Sequence, residues 1–333
     1  MIDVGVIGGS GYTGVELIRL ISNHPGVKIK IITSRRFEGR KISDVHPHLR
    51  SISELFYEGA DVQKVADVSD LVFTAVPHGT AMEYVPELLE CGVRVVDLSA
   101  DYRLNPDEYK RVYGKEADRR DAVYGLPELH SEISKAELVA NPGCYPTGAI
   151  LAVVPLVKNG VVKQVVFDSK SGITGAGADP TEVSHYPNLA ENIVAYKITT
   201  HRHKAEIVQE LDPQNKVHIS FTPHVIPCKR GILTTAHVFV NKDLSHDDID
   251  TMYQEFYEGK PFIRLTGIPS LGSVRGSNFC DIGFEIEEGT NRIVVISAID
   301  NLIKGASGQA IQSMNLMLGL DEKTGLWMSG FSP

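Results

Sequence analysis

The pattern of apolar and polar positions near the start of the chain predicts a strand, a glycine turn and a helix. The apolar run at Val4, Val6 and Ile7 is typical of a buried strand. After the turn, apolar side chains recur at the three- and four-residue spacing of an amphipathic helix. They are Val15, Leu17, Ile18 and Ile21.

Strand-like and helix-like segments continue to alternate through the first half of the chain. Apolar strands are predicted at residues 27–34, 70–77 and 93–100, with a helix at 80–92 between the last two. Strands that alternate with helices form a doubly wound parallel sheet, so this half is predicted to be an α/β domain. Ligands of such sheets bind at the carboxyl ends of the strands, and functional residues are expected there.

A second pattern of strand, turn and helix surrounds Cys144. Residues 138–144 predict a short strand that runs into a turn, and residues 146–160 predict a helix. Pro146 suits the first helical turn, whereas Pro155 is expected to bend or shorten the helix. Cys144 is therefore expected just ahead of a helix N-terminus, where the helix dipole favours a thiolate.

The second half of the chain is predicted to contain a large sheet, because apolar and polar residues alternate along much of it. A sheet with one uncovered face often takes part in self-association, so a homo-oligomer is expected, either a dimer or a tetramer. Residues 167–177 predict a strand that ends in a loop rich in glycine and hydroxyl residues. Such loops either bind phosphate through their amides or serve as ordinary turns.

Composition and charge narrow the class of protein. The chain has 333 residues, which is about two domains long, with 42% hydrophobic and 23% charged residues. Its net charge of -9, without a basic stripe, argues against a nucleic-acid partner. The apolar runs are too short to cross a bilayer and the N-terminus lacks a basic region, so neither a membrane partner nor a signal peptide is expected.

The four cysteines lack paired spacing and are expected to be free thiols in a reducing cytoplasm. Cys91 is predicted to be a buried small residue, and Cys228, in a strand, and Cys280 are predicted to be core or interface thiols. Cys144 has a different setting, but a helix terminus provides only about 0.3–1 kcal/mol, which is too little to ionise a thiol at neutral pH. A nearby histidine is therefore needed to activate it.

The richest cluster of histidines lies at residues 199–207. His201 and His203 are two residues apart and would point the same way in an extended segment. Glu206 falls in the first turn of a predicted helix, where a carboxylate could orient an imidazole or complement the helix end. The His-x-His spacing also occurs in metal sites, but no third ligand lies nearby in sequence, so no metal is expected.

Cofactor candidates lie after the predicted strands of the first half. Glycines at positions 8, 11 and 14 would let the backbone approach a pyrophosphate at the helix N-terminus. Where NAD sites usually have an acidic residue, this chain has Ser34, Arg35 and Arg36, which favour the 2′-phosphate of NADP. The other candidates belong to the glycine turn or to the carboxyl ends of later strands. They are Gly8, Ser10, Gly11, Tyr12, Thr13, Gly14, Pro77, His78 and Ser99.

The chain resembles the N-acetyl-gamma-glutamyl-phosphate reductases of arginine biosynthesis. Four segments carry the resemblance: GGSGYTGVELIRLI, ANPGCYPTGAILAVVPL, HRHKAEI and DNLIKGASGQAIQSMN. The similarity spans nearly the whole chain, and its most specific part is the Pro-Gly-Cys-Tyr-Pro-Thr-Gly pattern. Aspartate-semialdehyde and glyceraldehyde-3-phosphate dehydrogenases share the architecture but have different residues around the cysteine.

The resemblance implies a Rossmann domain, an α+β domain with a mixed, largely antiparallel sheet, and a C-terminal helix that returns to the first domain. The NADP-binding domain would comprise residues 1–145 and 304–333, and the catalytic and dimerisation domain residues 146–303. The implied reaction is the NADPH-dependent reduction of N-acetyl-gamma-glutamyl phosphate through a cysteine thioester. Its products are N-acetylglutamate semialdehyde and phosphate.

The resemblance also implies roles for individual residues. The family's nucleophilic cysteine corresponds to Cys144 and its acid/base histidine to His203. Substrate-binding residues are implied at Arg103, Tyr196, His201 and Glu206. Residues beside the cofactor are implied at Ser171, Gly172, Asn301 and Gln309.

Three other functions remain open at the level of sequence. The first is the same reaction on N-acetyl-aminoadipyl phosphate or a carrier-bound substrate in lysine biosynthesis. An enzyme pocket discriminates between substrates that differ by one methylene by only about 1–3 kcal/mol of binding free energy. The second is aspartate-semialdehyde dehydrogenase activity. The third is an NADP-binding sensor that has kept the fold and lost the chemistry.

Overall fold

The computed structural model of the chain describes residues 1–332, which fold as two compact units. The first unit consists of Met1–Pro142 and Ala306–Trp327, and the second of Gly143–Gly305 with the residues from Met328 onward. Each unit is built around its own sheet. No helix within residues 1–332 is both long enough and apolar enough to span a membrane.

The sheet of the first unit is parallel throughout, in the order β3-β2-β1-β4-β5-β7-β6. Its strands are β1 (Ile2–Ile7), β2 (Val27–Thr33), β3 (Tyr57–Glu58), β4 (Leu71–Thr74), β5 (Arg94–Asp97), β6 (Val123–Tyr124) and β7 (Leu138–Ala140). The helices of this part are α1 (Tyr12–Ile21), α2 (Ile42–Val45), α3 (Val62–Asp67), α4 (Val85–Glu90) and α5 (Pro106–Tyr113). Strand β4 and the last three residues of β5 are buried without alternation, as in parallel sheets covered on both faces.

The prediction of a doubly wound parallel sheet is confirmed, but its helices are shorter than predicted. The helix expected over residues 80–92 is a 3-10 turn at Ala81–Glu83 followed by α4. Pro86 explains the break, because proline lacks an amide and is tolerated only in the first turn of a helix.

The sheet of the second unit is mixed, in the order β12-β13-β14-β11-β8-β10-β9. Its strands are β8 (Val162–Gly172), β9 (Val194–Ala195), β10 (His218–Ile226), β11 (Ile232–Val240), β12 (Ile263–Leu265), β13 (Cys280–Ile286) and β14 (Arg292–Ile299). The β8·β10 and β12·β13 pairs are parallel, whereas the other strand pairs of this sheet are antiparallel. The prediction of a mixed, largely antiparallel sheet is confirmed.

Helix α6 (Cys144–Lys158) packs on one face of this sheet, and its residues from Tyr145 to Leu156 are buried. Strand β11 alternates strictly between buried and half-buried side chains, so its opposite face remains partly accessible. The unit also contains α7 (Tyr186–Leu189), α8 (His203–Leu211), α9 (His246–Phe256) and α10 (Leu271–Val274). A π-helical turn, Ile303–Ser307, then leads into α11 (Gly308–Met317), which belongs to the first unit.

Helix α6 is not shortened at Pro155, contrary to one of the two expectations for that residue. Proline has no amide for the carbonyl four residues before it, which is that of Leu151. The hydroxyl of Tyr257 donates a hydrogen bond to this carbonyl, and Tyr253 donates one to the carbonyl of Ala152 at 2.5 Å. Two tyrosines from α9 and its C-terminal end thus satisfy carbonyls beside the proline.

The burial predicted for Cys91 and the strand predicted at Cys228 are both wrong. Cys91 is exposed because it ends α4 at a surface turn, and Cys228 is half-buried in the loop after β10 rather than in a strand. Cys280 is fully buried at the start of β13, as predicted.

Candidate active site

Cys144 is the first residue of α6, so the helix begins two residues earlier than the sequence predicts. Gly143 precedes it in an extended conformation and has no side chain with which to cap the helix. The buried carboxylate of Glu206 takes this role, because its Oε2 accepts the amide of Gly143 at 2.9 Å. The half-buried thiol therefore lies where the free amides and dipole of α6 favour negative charge.

His203 brings an imidazole to the same place. It is the first residue of α8, and its Nε2 would lie 2.7 Å from a Cβ added to Gly143. The same nitrogen lies 3.9 Å from Oε1 of Glu206. One carboxylate thus bonds to the start of α6 and lies close to the imidazole, and the imidazole lies beside the glycine that precedes Cys144.

His201 contributes an uncharged ring. The segment is not extended, since α8 begins at His203, and the two imidazole centroids are 4.7 Å apart in an edge-to-face arrangement. Nδ1 of His201 accepts the amide of His203 at 3.2 Å. Burial, and then the nearby Lys197 and Arg202, lower the pKa of His201 to about 4, so this ring is neutral at physiological pH.

Two tyrosines complete the cluster. Tyr196 donates a hydrogen bond to the hydroxyl of Tyr145 at 3.2 Å, and Tyr145 donates one to the carbonyl of His224 at 3.0 Å. Burial is the main reason that the pKa of Tyr196 rises to about 12, and Cys144 adds to the shift. Both phenols are therefore proton donors at neutral pH. Tyr196 is among the residues predicted from the sequence, whereas Tyr145 is not, and its only signal there is its position next to Cys144.

Three more of the predicted residues lie at or beside the end of β8. Ser171 and Gly172 end the strand, and a Cβ on Gly172 would lie 2.8 Å from the backbone of Arg230, so the two chain segments pass very close. Asn301 is buried and donates to the hydroxyl of Thr174 at 3.0 Å. The loop after β8 is therefore held in place by Asn301.

The glycine turn of the first unit fits a dinucleotide phosphate. Gly8 has a φ of 86°, a conformation that residues other than glycine rarely adopt. A Cβ on Gly14 would lie 2.6 Å from the Cα of Gly9, so the helix and the turn can approach only without it. Gly11 caps α1 and has open space beside it, which leaves the first amides of the helix accessible to an anion. Ser10, Tyr12 and Thr13 belong to the same turn.

The three residues that follow β2 lie beside this turn. Ser34 donates a hydrogen bond to the hydroxyl of Ser10 at 2.9 Å. Arg35 bonds to Glu83 at 2.9 Å and to the hydroxyl of Tyr84. The guanidinium of Arg36 lies 5.2 Å from the ring centroid of Phe37, in cation–π geometry.

The loops after β4 and β5 hold each other through hydrogen bonds. Nδ1 of His78, next to Pro77, accepts the amide of Ala100 at 3.0 Å. The buried carboxylate of Asp101 accepts the amides of Gly79 at 2.6 Å and Ala81 at 3.0 Å. Sequence reasoning missed this role of Asp101, although a carboxylate in the loop after a buried strand is a signal that could have identified it.

A second buried carboxylate, Asp97, orders the predicted residue Ser99, whose hydroxyl donates to it at 2.7 Å. Burial raises the pKa of Asp97 to about 6. Arg103 follows in the same loop, is largely buried and donates to the carbonyl of Leu98 at 2.9 Å. Gln309, on α11, is buried and donates to the carbonyl of Gly125 at 2.8 Å.

The structure thus brings together Cys144, His203, Glu206, His201 and Tyr196 within the second unit. The predicted phosphate-binding residues and Arg103 lie in the first unit, at the carboxyl ends of its strands. Within residues 1–332, no group of three or more histidine, cysteine or acidic side chains is arranged to hold a metal ion.

Comparisons with known proteins identify the family of this chain. Residues 3–136 match the family model of the semialdehyde dehydrogenase NAD binding domain, and residues 144–301 match that of the semialdehyde dehydrogenase dimerisation domain. An N-acetyl-gamma-glutamyl-phosphate reductase of Methanocella arvoryzae is 59% identical over 335 residues, covering 100% of both chains. One of Methanothrix thermoacetophila is 61% identical over 342 residues, again covering 100% of both. The chain belongs to the N-acetyl-gamma-glutamyl-phosphate reductase family.

Solved structures that resemble this reductase chain support its fold. An aspartate semialdehyde dehydrogenase II of Vibrio cholerae, complexed with ASA, superposes with a TM-score of 0.73 and 16% identity, covering 96% of this chain and 98% of that chain. The enzyme of Candida albicans, solved with NADP, gives a TM-score of 0.73 and 15% identity, with the same coverage. At this identity the similarity concerns the fold alone. The family resemblance inferred from the sequence is confirmed.

Proposed function

We propose that this chain reduces N-acetyl-gamma-glutamyl phosphate to N-acetylglutamate semialdehyde and phosphate in arginine biosynthesis, with NADPH as reductant. The observation that carries the proposal is the position of Cys144 at the start of α6, beside His203 and Glu206. The chain also covers the whole length of several reductases that bear this name, at 51–61% identity.

Cys144 is the nucleophile in this proposal. Its sulfur attacks the acyl carbon of the acyl phosphate, a carbon–sulfur bond forms, and the bond to phosphate breaks with release of inorganic phosphate. The resulting thioester keeps the acyl group on the protein. Covalent catalysis divides one difficult reduction into two easier steps.

His203 is the acid/base residue. It exchanges a proton with the thiol before attack and with the substrate oxygen when the thioester is reduced and the aldehyde departs. Glu206 holds the imidazole and caps α6 at the same time. The hydroxyl of Tyr196 and the neutral ring of His201 would contact the substrate, and Arg103 would supply a guanidinium for its carboxylate.

NADP(H) is the proposed cofactor, and the glycine turn fits its pyrophosphate. When bound, the reduced nicotinamide supplies the hydride. Ser34, Arg35 and Arg36 would hold the 2′-phosphate, while Ser171, Gly172, Asn301 and Gln309 would line the nicotinamide side. The remaining contacts would come from Gly8, Ser10, Gly11, Tyr12, Thr13, Gly14, Pro77, His78 and Ser99.

We also propose that the protein is a cytoplasmic homo-oligomer that acts on a small molecule. The partly accessible face of the second unit's sheet supports self-association, and the free thiols of its four cysteines suit a reducing compartment.

The substitution Cys144→Ser tests the covalent route. Turnover of N-acetyl-gamma-glutamyl phosphate with NADPH is expected to fall by at least about 10³-fold, with unchanged NADPH affinity, because serine is a far weaker nucleophile. Mass spectrometry of the wild-type protein with substrate and no reductant should detect an acyl group on Cys144. Substantial turnover by the serine variant would refute the mechanism, and faster turnover of N-acetyl-aminoadipyl or aspartyl phosphate would refute the assigned substrate.

A further inference from the structure

The π-helical turn Ile303–Ser307 lies against the start of α6. The amide of Gly305 donates to the carbonyl of Asp300 at 2.9 Å, which is the five-residue spacing of a π-helix. The buried carboxylate of Asp300 accepts the amides of Leu302 at 2.8 Å and Ile303 at 3.2 Å. The turn is therefore anchored by both the backbone and the side chain of Asp300.

Gly305 leaves space for the carbon that bears the candidate nucleophile. A Cβ at this position would lie 2.9 Å from the Cβ of Cys144 and 3.3 Å from its Cα. Carbon atoms in ordinary contact are about 3.5–4.0 Å apart, so even a methyl group is too large. The φ angle of Gly305 lies outside the left-handed region, so space, and not backbone conformation, requires glycine here.

Gly143 leaves space for the candidate acid/base in the same way. A Cβ there would lie 2.7 Å from Nε2 of His203 and 2.9 Å from its Cδ2 and Cε1. Its φ of -66° is open to any residue, so the imidazole alone excludes a side chain. The two glycines thus flank Cys144, one against its Cβ and the other against its proposed partner.

We propose that Gly143 and Gly305 are positioning residues that set where the sulfur of Cys144 and the imidazole of His203 lie. The proposal rests on the proposed function for the roles of these two side chains. The carboxylate of Glu206 accepts the amide of Gly143, and the hydroxyl of Thr147 donates to the carbonyl of Gly143 at 3.0 Å. The start of α6 therefore resists displacement. An added methyl group therefore shifts the reacting groups, and a misplacement of about 1 Å can lower turnover by about 10²-fold.

The experiment compares Gly305→Ala and Gly143→Ala with the control Gly272→Ala. Gly272 lies on α10 of the same unit, has no atom within 4 Å of an added Cβ and has an unremarkable φ. Three quantities are measured: kcat, KM, and the pH dependence of Cys144 alkylation by iodoacetamide, followed by peptide mass spectrometry.

Gly305→Ala is expected to lower kcat by about 10- to 100-fold with KM nearly unchanged. The pH at which alkylation of Cys144 is half-maximal, the alkylation midpoint, should stay near the wild-type value, because the imidazole has not moved. Gly143→Ala is expected to lower kcat and to move the alkylation midpoint to higher pH, because the imidazole is displaced from the thiol. The control should match the wild type in all three measurements.

A double-mutant cycle tests the contacts without using activity. Replacing Cys144 by glycine removes the Cβ that an alanine at 305 would meet, so Gly305→Ala should lower the melting temperature less in the Cys144→Gly background. Equal losses in both backgrounds, or glycine variants that match the control in kcat and alkylation, would overturn the proposal. If acyl-enzyme is absent from the wild type while the cycle shows coupling, the proposed function fails and the steric inference stands.

Discussion

At the scale of single residues, the chemistry of the candidate site depends on which groups can carry charge. Glu206 is buried and bonded to the start of α6, and His203 lies beside it. His201 is of the same residue type two positions away, yet burial lowers its pKa to about 4. The surroundings of His201 thus support the proposal that the two neighbouring histidines have different roles.

The substitution His201→Asn tests this difference. Because His201 is neutral above about pH 4, asparagine should preserve the charge state and cost roughly one hydrogen bond, or about fivefold in kcat/KM. The pH at which kcat/KM is half-maximal should not move between pH 5 and 9. A shift of this midpoint would show that His201 titrates. The comparison variant is His203→Asn, in which the dependence of kcat/KM on pH in this range should disappear.

The proposed preference for NADPH is tested at Arg36. Replacing Arg36 by alanine removes a charged hydrogen bond worth about 1.5–3 kcal/mol and should raise KM for NADPH by about 10- to 100-fold. KM for NADH should be unchanged, because NADH lacks the 2′-phosphate. Arg111→Ala, at an exposed arginine on α5, is the matched control. Equal effects on the two cofactors would contradict the assignment.

At the scale of elements, helix α6 illustrates how a neighbour can repair a local defect. The proline within it removes one backbone donor, and a hydroxyl from the end of α9 donates to the carbonyl of Leu151 instead. Tyr257 is largely buried, so water cannot easily take over this bond. The helix that begins at Cys144 therefore remains regular to Lys158.

The substitution Tyr257→Phe should lower the free energy of unfolding by about 1–3 kcal/mol, because it leaves a buried carbonyl unpaired. In a Pro155→Ala background the loss should be smaller, since residue 155 then has an amide for Leu151. Urea denaturation of the four proteins in this cycle measures the difference. Equal losses in both backgrounds would mean that the hydroxyl does not compensate for the proline.

At the scale of the whole molecule, the first unit is assembled from distant parts of the chain. Helix α11 joins it through Gln309 and through a buried hydrogen bond of 3.0 Å between His24 and Asn315. Nδ1 of His24 accepts the amide of Gly26 at 3.1 Å, which requires the neutral ring. Burial is the main cause that lowers the pKa of His24 below its ordinary value.

This pKa shift predicts that stability depends on pH. The pKa of His24 is lower in the folded state than in the unfolded state. Between these two pKa values the unfolded state therefore binds more protons than the folded state. The stability present above about pH 6.5 is then lost as the pH falls. His24→Gln keeps a side-chain donor without the titration. Unfolding free energies between pH 5 and 8 should therefore fall less steeply on acidification in the variant, and identical slopes would exclude His24 as a cause.

The glycine turn, the strand alternation and the cysteine before an apolar helix could all be predicted from the sequence. Each depends on residues within about one turn or strand of each other, such as Gly8 with Gly14, so the local pattern contains the information. The resemblance also predicted His203 and Glu206 as site residues. The burial predicted for Cys91 and the strand predicted for Cys228 were wrong because both residues lie in turns or loops that periodicity does not describe.

The amino-acid sequence by itself determined the types of structure and the candidate reacting groups, because strand and helix periods and the chemistry of thiol and imidazole are local properties. Only the tertiary structure decided how Glu206 caps a helix 63 residues away, how Tyr257 compensates for Pro155, and why positions 143 and 305 must be glycine. These features depend on distances between segments far apart in the chain. Close packing in the folded protein sets such distances, and no local pattern encodes them.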